Sequence, residues 1–341
     1  YLFYLYIYRK VQIFSMLSFG NLAPEFKNIK GWIHSKPLTL RDLRRKVVLL
    51  DFWTYSCINC VRTLPHMKQL HEKYSEDPFV IIGVHTPEFE FEKNPENVKA
   101  AVEKFGIRYP IALDSDNTTW QLYGNRYWPK QTLIDAKGIL RYEHAGEGGY
   151  AEIEENIIEL LKEIGVIIKT RIDKMNREEK LASFNYFSKI SPETYTGSER
   201  SRGFGNSQVC VPGSCIRFID RGDHEQNIVY LNEDWTQEKQ RIHHPTEEEA
   251  YVLMKYSARQ VNAVLSPYSE GKYKVFVYLD GKPLTREQAG RDIKFTRDGR
   301  SFVQVDFPDM FEIVDTQNTQ IHEVKLVSDS PEFTLYTFTF G

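Results

Sequence analysis

Apolar and polar positions follow two different periods along this chain, and the second takes over in its last third. The run KVVLLDFW from Lys46 is short, apolar and bounded by polar sequence, the pattern of a strand buried on both faces. Val61 to Tyr74 reads as a helix with Pro65 inside it, and FVIIGVH (Phe79 to His85) as a second buried strand. Asn94 to Phe105 has helical spacing, with Ala100, Ala101 and Phe105 on one face. After Tyr109 and Pro110, IALD predicts a short strand, followed by a helical stretch through Trp120 and Tyr123. Trp128-Pro129 precedes QTLIDAKGILRYEH, a hairpin pattern turning at Asp135 to Gly138. Ala151 to Ile164 closes the region as an amphipathic helix with Ile153, Ile157, Leu160, Leu161 and Ile164 on its apolar face. Strands alternating with helices, then a hairpin and a helix, predict an α/β fold with a partly parallel sheet.

From Gly165 to about Ile190 the chain is charged and helical in character, and SPETYTGSERSRGFGNSQ then has the content of a loop. Beyond Asn227 the period becomes two: IVYLNEDW, AYVLMKYSARQVNAVL, KYKVFVYLDGKPL, SFVQVDF, HEVKLVS and FTLYTFTFG. Asp280-Gly281 between two alternating runs is a hairpin signal. Strands at this spacing without helices predict an antiparallel β-sandwich of the jelly-roll kind. The expected organisation is an N-terminal extension over 1–19, an α/β domain over 20–165, a helical connector over 166–190 and the sandwich over 191–341. Two domains also suit a length of 341 residues.

Charge narrows the partners. Lys+Arg at 44 against Asp+Glu at 47 gives a net charge of -3, which argues against nucleic acid, since phosphate binding needs a concentrated basic surface. The N-terminus bears on compartment. Tyr1 to Tyr8 is aromatic and apolar, Arg9 and Lys10 interrupt it, and Val11 to Phe19 is apolar again. No uninterrupted run approaches the roughly 18 residues that span a bilayer, and the order of a signal peptide is missing. Three readings stay open: the tail of a membrane segment lost by truncation, an interfacial anchor, or spurious sequence ahead of a start at Met16. An extracytoplasmic, membrane-associated location is favoured, and a cytoplasmic one follows if translation starts at Met16.

The four cysteines form two close pairs, Cys57 with Cys60 and Cys210 with Cys215, too few for a disulfide scaffold. Zinc is a minor reading, because the second pair has the wrong spacing for a ribbon or finger. Cys57-Ile58-Asn59-Cys60 falls between a buried strand and a helix. There the first cysteine sits at a helix N-terminus, where unpaired N–H groups and the helix dipole favour an anion, and the thiolate is the species that attacks disulfides. Two intervening residues let one helical turn bring the sulfurs within bonding distance. Cys57 is the expected nucleophile and Cys60 the resolving thiol. The alternative, a structural disulfide or half a metal site, is disfavoured by the strand–CxxC–helix placement. Cys210 and Cys215 enclose a turn-prone loop, with a structural disulfide ahead of free thiols and of a second redox pair.

DFWTYSCINC followed by Pro65 resembles the active-site segment of thioredoxin. That resemblance implies that Asp51, directly or through water, accepts a proton from Cys60, a task that the raised pKa of a buried carboxylate suits. It implies that Trp53 packs beneath the site and helps bind substrate, that Pro65 kinks the helix, and that Trp128-Pro129 is the cis-proline pair holding an extended substrate segment. Two departures stand out. Ile58-Asn59 replaces Gly-Pro, and Thr54 resembles the TxxC threonine of peroxiredoxins, which carry a proline where this chain has Asp51. A thiol-dependent peroxidase is therefore an alternative of smaller weight.

A longer resemblance covers most of residues 20–341. APEFKNIKGWIHSKPLTLRDLRRKVVLLDFWTYSCINCVRTLPH, HTPEFEFE, YGNRYWPKQTLIDAKG, HAGEGGY, PETYTG, LDGKPL and YTFTFG are similar to the C-terminal part of DipZ-type thiol–disulfide exchange and cytochrome c biogenesis proteins. There a TlpA-like redoxin domain precedes a sandwich resembling a carbohydrate-binding module. The resemblance implies dithiol–disulfide exchange with protein thiols and disulfides, and an upstream donor, either a membrane protein of the CcdA/DsbD kind or thioredoxin. It requires no cofactor beyond the redox-active Cys57–Cys60 disulfide and no metal. A glycan at the sandwich, met by aromatics such as Trp235 and Tyr278, is a further expectation, weighed against core packing. A rival from another class is a glycan- or partner-binding protein with a vestigial CxxC. His66 is expected on a solvated helix face, and the acidic HTPEFEFEKNPE insert as a lid, a partner surface or a packed loop.

Overall fold

In the computed structural model, which describes residues 19–168, 190–209 and 211–341, the first of two compact units ends at residue 175. Its elements run β1 (Trp32–Ile33), β2 (Val47–Trp53), α1 (Ile58–Lys73), β3 (Phe79–His85), a 3-10 turn (Glu90–Lys93), α2 (Pro95–Lys104), β4 (Ile111–Leu113), α3 (Thr118–Leu122), β5 (Lys130–Ile134), β6 (Leu140–Ala145) and α4 (Tyr150–Glu163). The sheet order is β1-β4-β3-β2-β5-β6, parallel from β2 through β3 to β4 and antiparallel elsewhere.

Every residue of β2 is buried, so both faces of the strand are covered, as in the interior of a parallel sheet. Alternation sorts its side chains. Val47, Leu49 and Trp53 join a core with Leu64 and Met67 of α1 and Ile157 of α4, while Val48, Leu50 and Phe52 pack with Trp120 of α3 and Tyr123. Asp51 shares the parity of Leu49 and Trp53, and so lies on the side that α1 covers. Asn94 caps α2, its Oδ1 accepting from Glu96 N at 3.0 Å.

The second unit begins at residue 176, and among its described residues the regular elements are all β-strands. Its strands are β7 (Thr194–Tyr195), β8 (Cys215–Phe218), β9 (Val229–Gln237), β10 (Ile242–His243), β11 (Ala250–Ser266), β12 (Tyr273–Leu279), β13 (Lys282–Pro283), β14 (Lys294–Phe295), β15 (Ser301–Val305), β16 (Asp309–Ser328) and β17 (Thr334–Phe340). They make one 11-stranded sheet, in which the named strands all pair antiparallel. The long β11 and β16 shift register between Ala258 and Gln260, a bulge that bends a strand and lets it serve more than one neighbour. β11 accordingly pairs with β16, β17 and β9 around a single core. Asp280 and Gly281 turn β12 into β13 with φ of 50° and 75°, the left-handed pair that a two-residue hairpin needs.

Among the described residues no helix is long and apolar enough to cross a membrane. The expected extension falls outside the described residues except for Phe19, as do most of the connector and Cys210.

Candidate active site

β2 ends at Trp53, and the turn Thr54–Ser56 delivers Cys57 to the N-cap of α1. Cys57 has extended φ and ψ of -94° and 117°, and no side chain caps the helix, so the first turn of N–H groups is directed toward the cysteine end. Cys60 lies one turn further in. Both are free thiols and buried, Cys57 at 7% exposure and Cys60 at 1%. The two side chains are hydrogen-bonded, and the Thr54 main chain bonds the Cys60 sulfur. Burial, and then the Cys57 contact, push the Cys60 thiol well above its ordinary value.

Asp51 stands behind the pair. It is buried, and its Oδ1 accepts from Gln131 Nε2 at 2.9 Å. Burial raises its pKa to about 6, with the Gln131 bond opposing. The charge of Asp51 also raises the Cys60 pKa, and Tyr109, likewise buried, feels both groups. The approach to Cys57 is bounded by Trp128-Pro129, a cis peptide bond, with Cys57 Sγ 4.0 Å from the Trp128 carbonyl. Trp128 is half-buried; its indole stacks on Trp120 at 4.2 Å and donates to Thr86 O at 3.1 Å.

Cys57, Cys60, Asp51, Trp128 and Pro129 thus meet around one helix terminus. Trp53 differs from its expected part in substrate contact. It is 0% exposed and packed edge-on to His85 at 5.3 Å, so a docked segment has no access to it. His66 is not on a solvated face either: its ring stacks on Tyr150 at 4.4 Å. Cys215 is a free, exposed thiol, and its expected partner Cys210 lies outside the described residues. Trp235 is fully buried, with Nε1 donating to Asn232 O at 2.8 Å, which removes it as a sugar platform; Tyr278 is half-buried.

Three residues escaped the sequence reading. Gln131 has no motif, because its pairing with Asp51 depends on the antiparallel register of β5 on β2. His85 ends an apolar strand, and burial lowers its pKa to about 3, leaving it neutral. Glu92, inside the acidic insert, is fully buried, and its Oε1 accepts from Thr54 Oγ1 at 2.5 Å. That bond occupies the hydroxyl which a peroxidase site would direct at peroxide. The only signal for Glu92 was the insert's acidity, which does not say which carboxylate turns inward. Among the described residues no group of three or more His, Cys, Asp or Glu side chains is placed to hold a metal.

Known proteins are similar to this chain in sequence. Residues 191–341 match the family described as thioredoxin like C-terminal domain, and residues 19–143 match the AhpC/TSA family. Protein DipZ of Mycobacterium tuberculosis is 36% identical over 271 residues, which are 79% of this chain and 38% of DipZ. The chain therefore spans about two fifths of the length of that relative. Thiol-disulfide oxidoreductase ResA of Halalkalibacterium halodurans is 32% identical over 130 residues, 38% of this chain and 70% of ResA. Thiol-disulfide oxidoreductase YkuV of Bacillus subtilis is 29% identical over 140 residues, 41% of this chain and 94% of YkuV.

Proposed function

The chain belongs to the thioredoxin-like thiol–disulfide oxidoreductases, and from that premise we propose that it exchanges electrons with protein disulfides through the Cys57–Cys60 dithiol. The observation that carries this reading is the placement of Cys57 at the N-cap of α1, with Cys60 one turn behind it and Asp51 buried beneath.

In the reducing direction the Cys57 thiolate attacks one sulfur of a substrate disulfide. That S–S bond breaks, a mixed disulfide forms, and the displaced substrate thiolate takes up a proton. Cys60 then loses its proton toward Asp51 and attacks Cys57 Sγ. The mixed disulfide breaks, the second substrate sulfur leaves as a thiolate and takes up a proton, and Cys57 and Cys60 end as a disulfide. Attack in this second step needs the thiolate, which burial of Cys60 disfavours. A carboxylate with a pKa near 6 is a suitable acceptor at neutral pH. The Trp128 carbonyl and Pro129 border the approach to Cys57, and a substrate segment would lie along them.

The test is reduction of a small disulfide-bonded protein by the full chain with a dithiol donor. Cys57→Ser should abolish turnover, and Cys60→Ser should accumulate a mixed disulfide on Cys57. Full turnover by the Cys57→Ser protein would overturn the reading in favour of a binding protein with an idle CxxC. The potential of the couple sets the direction. A value near or below about -270 mV, that of thioredoxin, marks a reductant, and one near about -120 mV, that of DsbA, an oxidant.

A further inference from the structure

The acidic insert after β3 buries one of its carboxylates against the turn that carries the nucleophile. Glu92 has no exposed surface, and each of its oxygens is engaged. Oε1 accepts from Thr54 Oγ1 at 2.5 Å, Ser56 Oγ at 2.7 Å and Ser56 N at 3.2 Å. Oε2 accepts from Glu88 N at 2.6 Å and Phe89 N at 2.9 Å. A carboxylate offers about four lone-pair sites, so these donors saturate it. All of them come from two segments: the Thr54–Ser56 turn and the start of the insert. Ser56 precedes Cys57, and the Thr54 main chain bonds the Cys60 sulfur. One three-residue turn is thus gripped by Glu92 on one side and positions both thiols on the other.

We propose that Glu92 is a positioning residue for the Cys57–Cys60 couple, its ionised carboxylate holding the Thr54–Ser56 turn in the geometry that sets the reactivity and redox equilibrium of the dithiol. This deepens the proposed function and rests on it.

Ionisation matters because all five contacts are donated to the carboxylate. A protonated carboxyl brings an O–H among them, so at least one donor must let go or, where it is a hydroxyl, turn to accept. Burial, together with the charge of Glu88, lifts the Glu92 pKa to about 7 against the pull of Thr54, Phe89 and Ser56, so its protonation changes in the neutral range. The other charged and titratable groups around it do not compensate. His85, with Nε2 3.5 Å from Thr54 Oγ1, stays neutral. Glu90 and Lys93 of the same 3-10 turn pair with each other at the surface.

The test uses the full reduced chain. Peptide-resolved alkylation of Cys57 by iodoacetamide is followed from about pH 5 to 9, alongside the dithiol–disulfide equilibrium with glutathione and a thermal melt. For the wild type the alkylation profile should carry an inflection near pH 7, where Glu92 titrates. Glu92→Gln should lose that inflection and displace the glutathione equilibrium constant by roughly threefold to tenfold, the scale of a hydrogen-bond rearrangement beside the sulfurs. A lowered melt with an unchanged profile and constant would overturn the proposal and leave Glu92 a purely structural residue. Should Glu92→Gln not fold, Thr54→Val decides. It keeps the charge and removes one donor, so the inflection should move to higher pH; an inflection that stays in place overturns the proposal. Alkylation needs no protein substrate. A wild type that keeps the inflection but reduces no protein disulfide would therefore sink the proposed reaction without touching this coupling.

Discussion

Asp51 of β2 and Gln131 of β5 are direct cross-strand partners, and Gln131 Nε2 donates to Asp51 Oδ1 at 2.9 Å inside the sheet. One neutral donor does not replace the water that the carboxylate gives up, so its pKa rises from 3.8 to about 6. A raised carboxylate pKa contributes stability that is fully present below the unfolded value and is lost as pH rises through the folded one. Asp51→Asn should therefore match the wild type in stability near pH 3.8 and exceed it at pH 8. The gain should reach at most about 3 kcal/mol. Urea unfolding at the two pH values checks this. The same variant should slow release of the mixed disulfide by about tenfold or more if Asp51 is the proton acceptor.

His85 acts with the opposite sign. Burial lowers its pKa from 6.5 to about 3, so its contribution is present above pH 6.5 and is lost as pH falls toward 3. His85→Phe keeps a ring against Trp53 and Tyr55 and should flatten the acid limb of the stability curve below about pH 4, where Asp51 no longer opposes it. Asp51 and Glu92 both oppose His85 between about pH 4.5 and 6, so stability should fall more steeply with rising pH there once His85 is removed. Urea midpoints measured across that range would show it.

Gly83 of β3 pairs with Asp51 in register, and its missing side chain makes room for the packing below the active site. A Cβ there would come within 2.5 Å of Ile111 Cδ1, 3.0 Å of Trp53 Nε1 and 3.2 Å of Tyr109 Cε2. Gly83→Ala should destabilise the first unit by about 1–3 kcal/mol through overpacking. The change should also alter Trp53 fluorescence, since the indole must shift. An unchanged melting temperature and spectrum would contradict the packing described.

Trp235 anchors the second unit. It is fully buried, meets Phe333 edge-on at 5.1 Å and uses its indole N–H on Asn232 O. Trp235→Ala should cost about 3–5 kcal/mol in unfolding of that unit, from lost burial and the cavity left behind. A surface role for Trp235 would predict a cost under about 1 kcal/mol, and denaturant unfolding separates the two.

Local pattern determined most of the secondary structure, because the two periods are written residue by residue: 3.6 in Ala151 to Ile164 and two in Ala250 to Ser266. It also determined where the dithiol falls, since strand, CxxC and helix follow one another directly in the chain. The surroundings of that dithiol were decided only in three dimensions. Gln131 reaches Asp51 from 80 residues away, and Glu92 reaches Thr54 from 38. Neither contact has a period or a motif, because each depends on strand register and on which acidic side chain of an insert turns inward. The desolvation that raises Asp51 and Glu92 and lowers His85 likewise comes into being only when helices close over the sheet. Tertiary packing within each unit also removed Trp53 and Trp235 from the surface, where their aromatic character alone would have allowed a ligand.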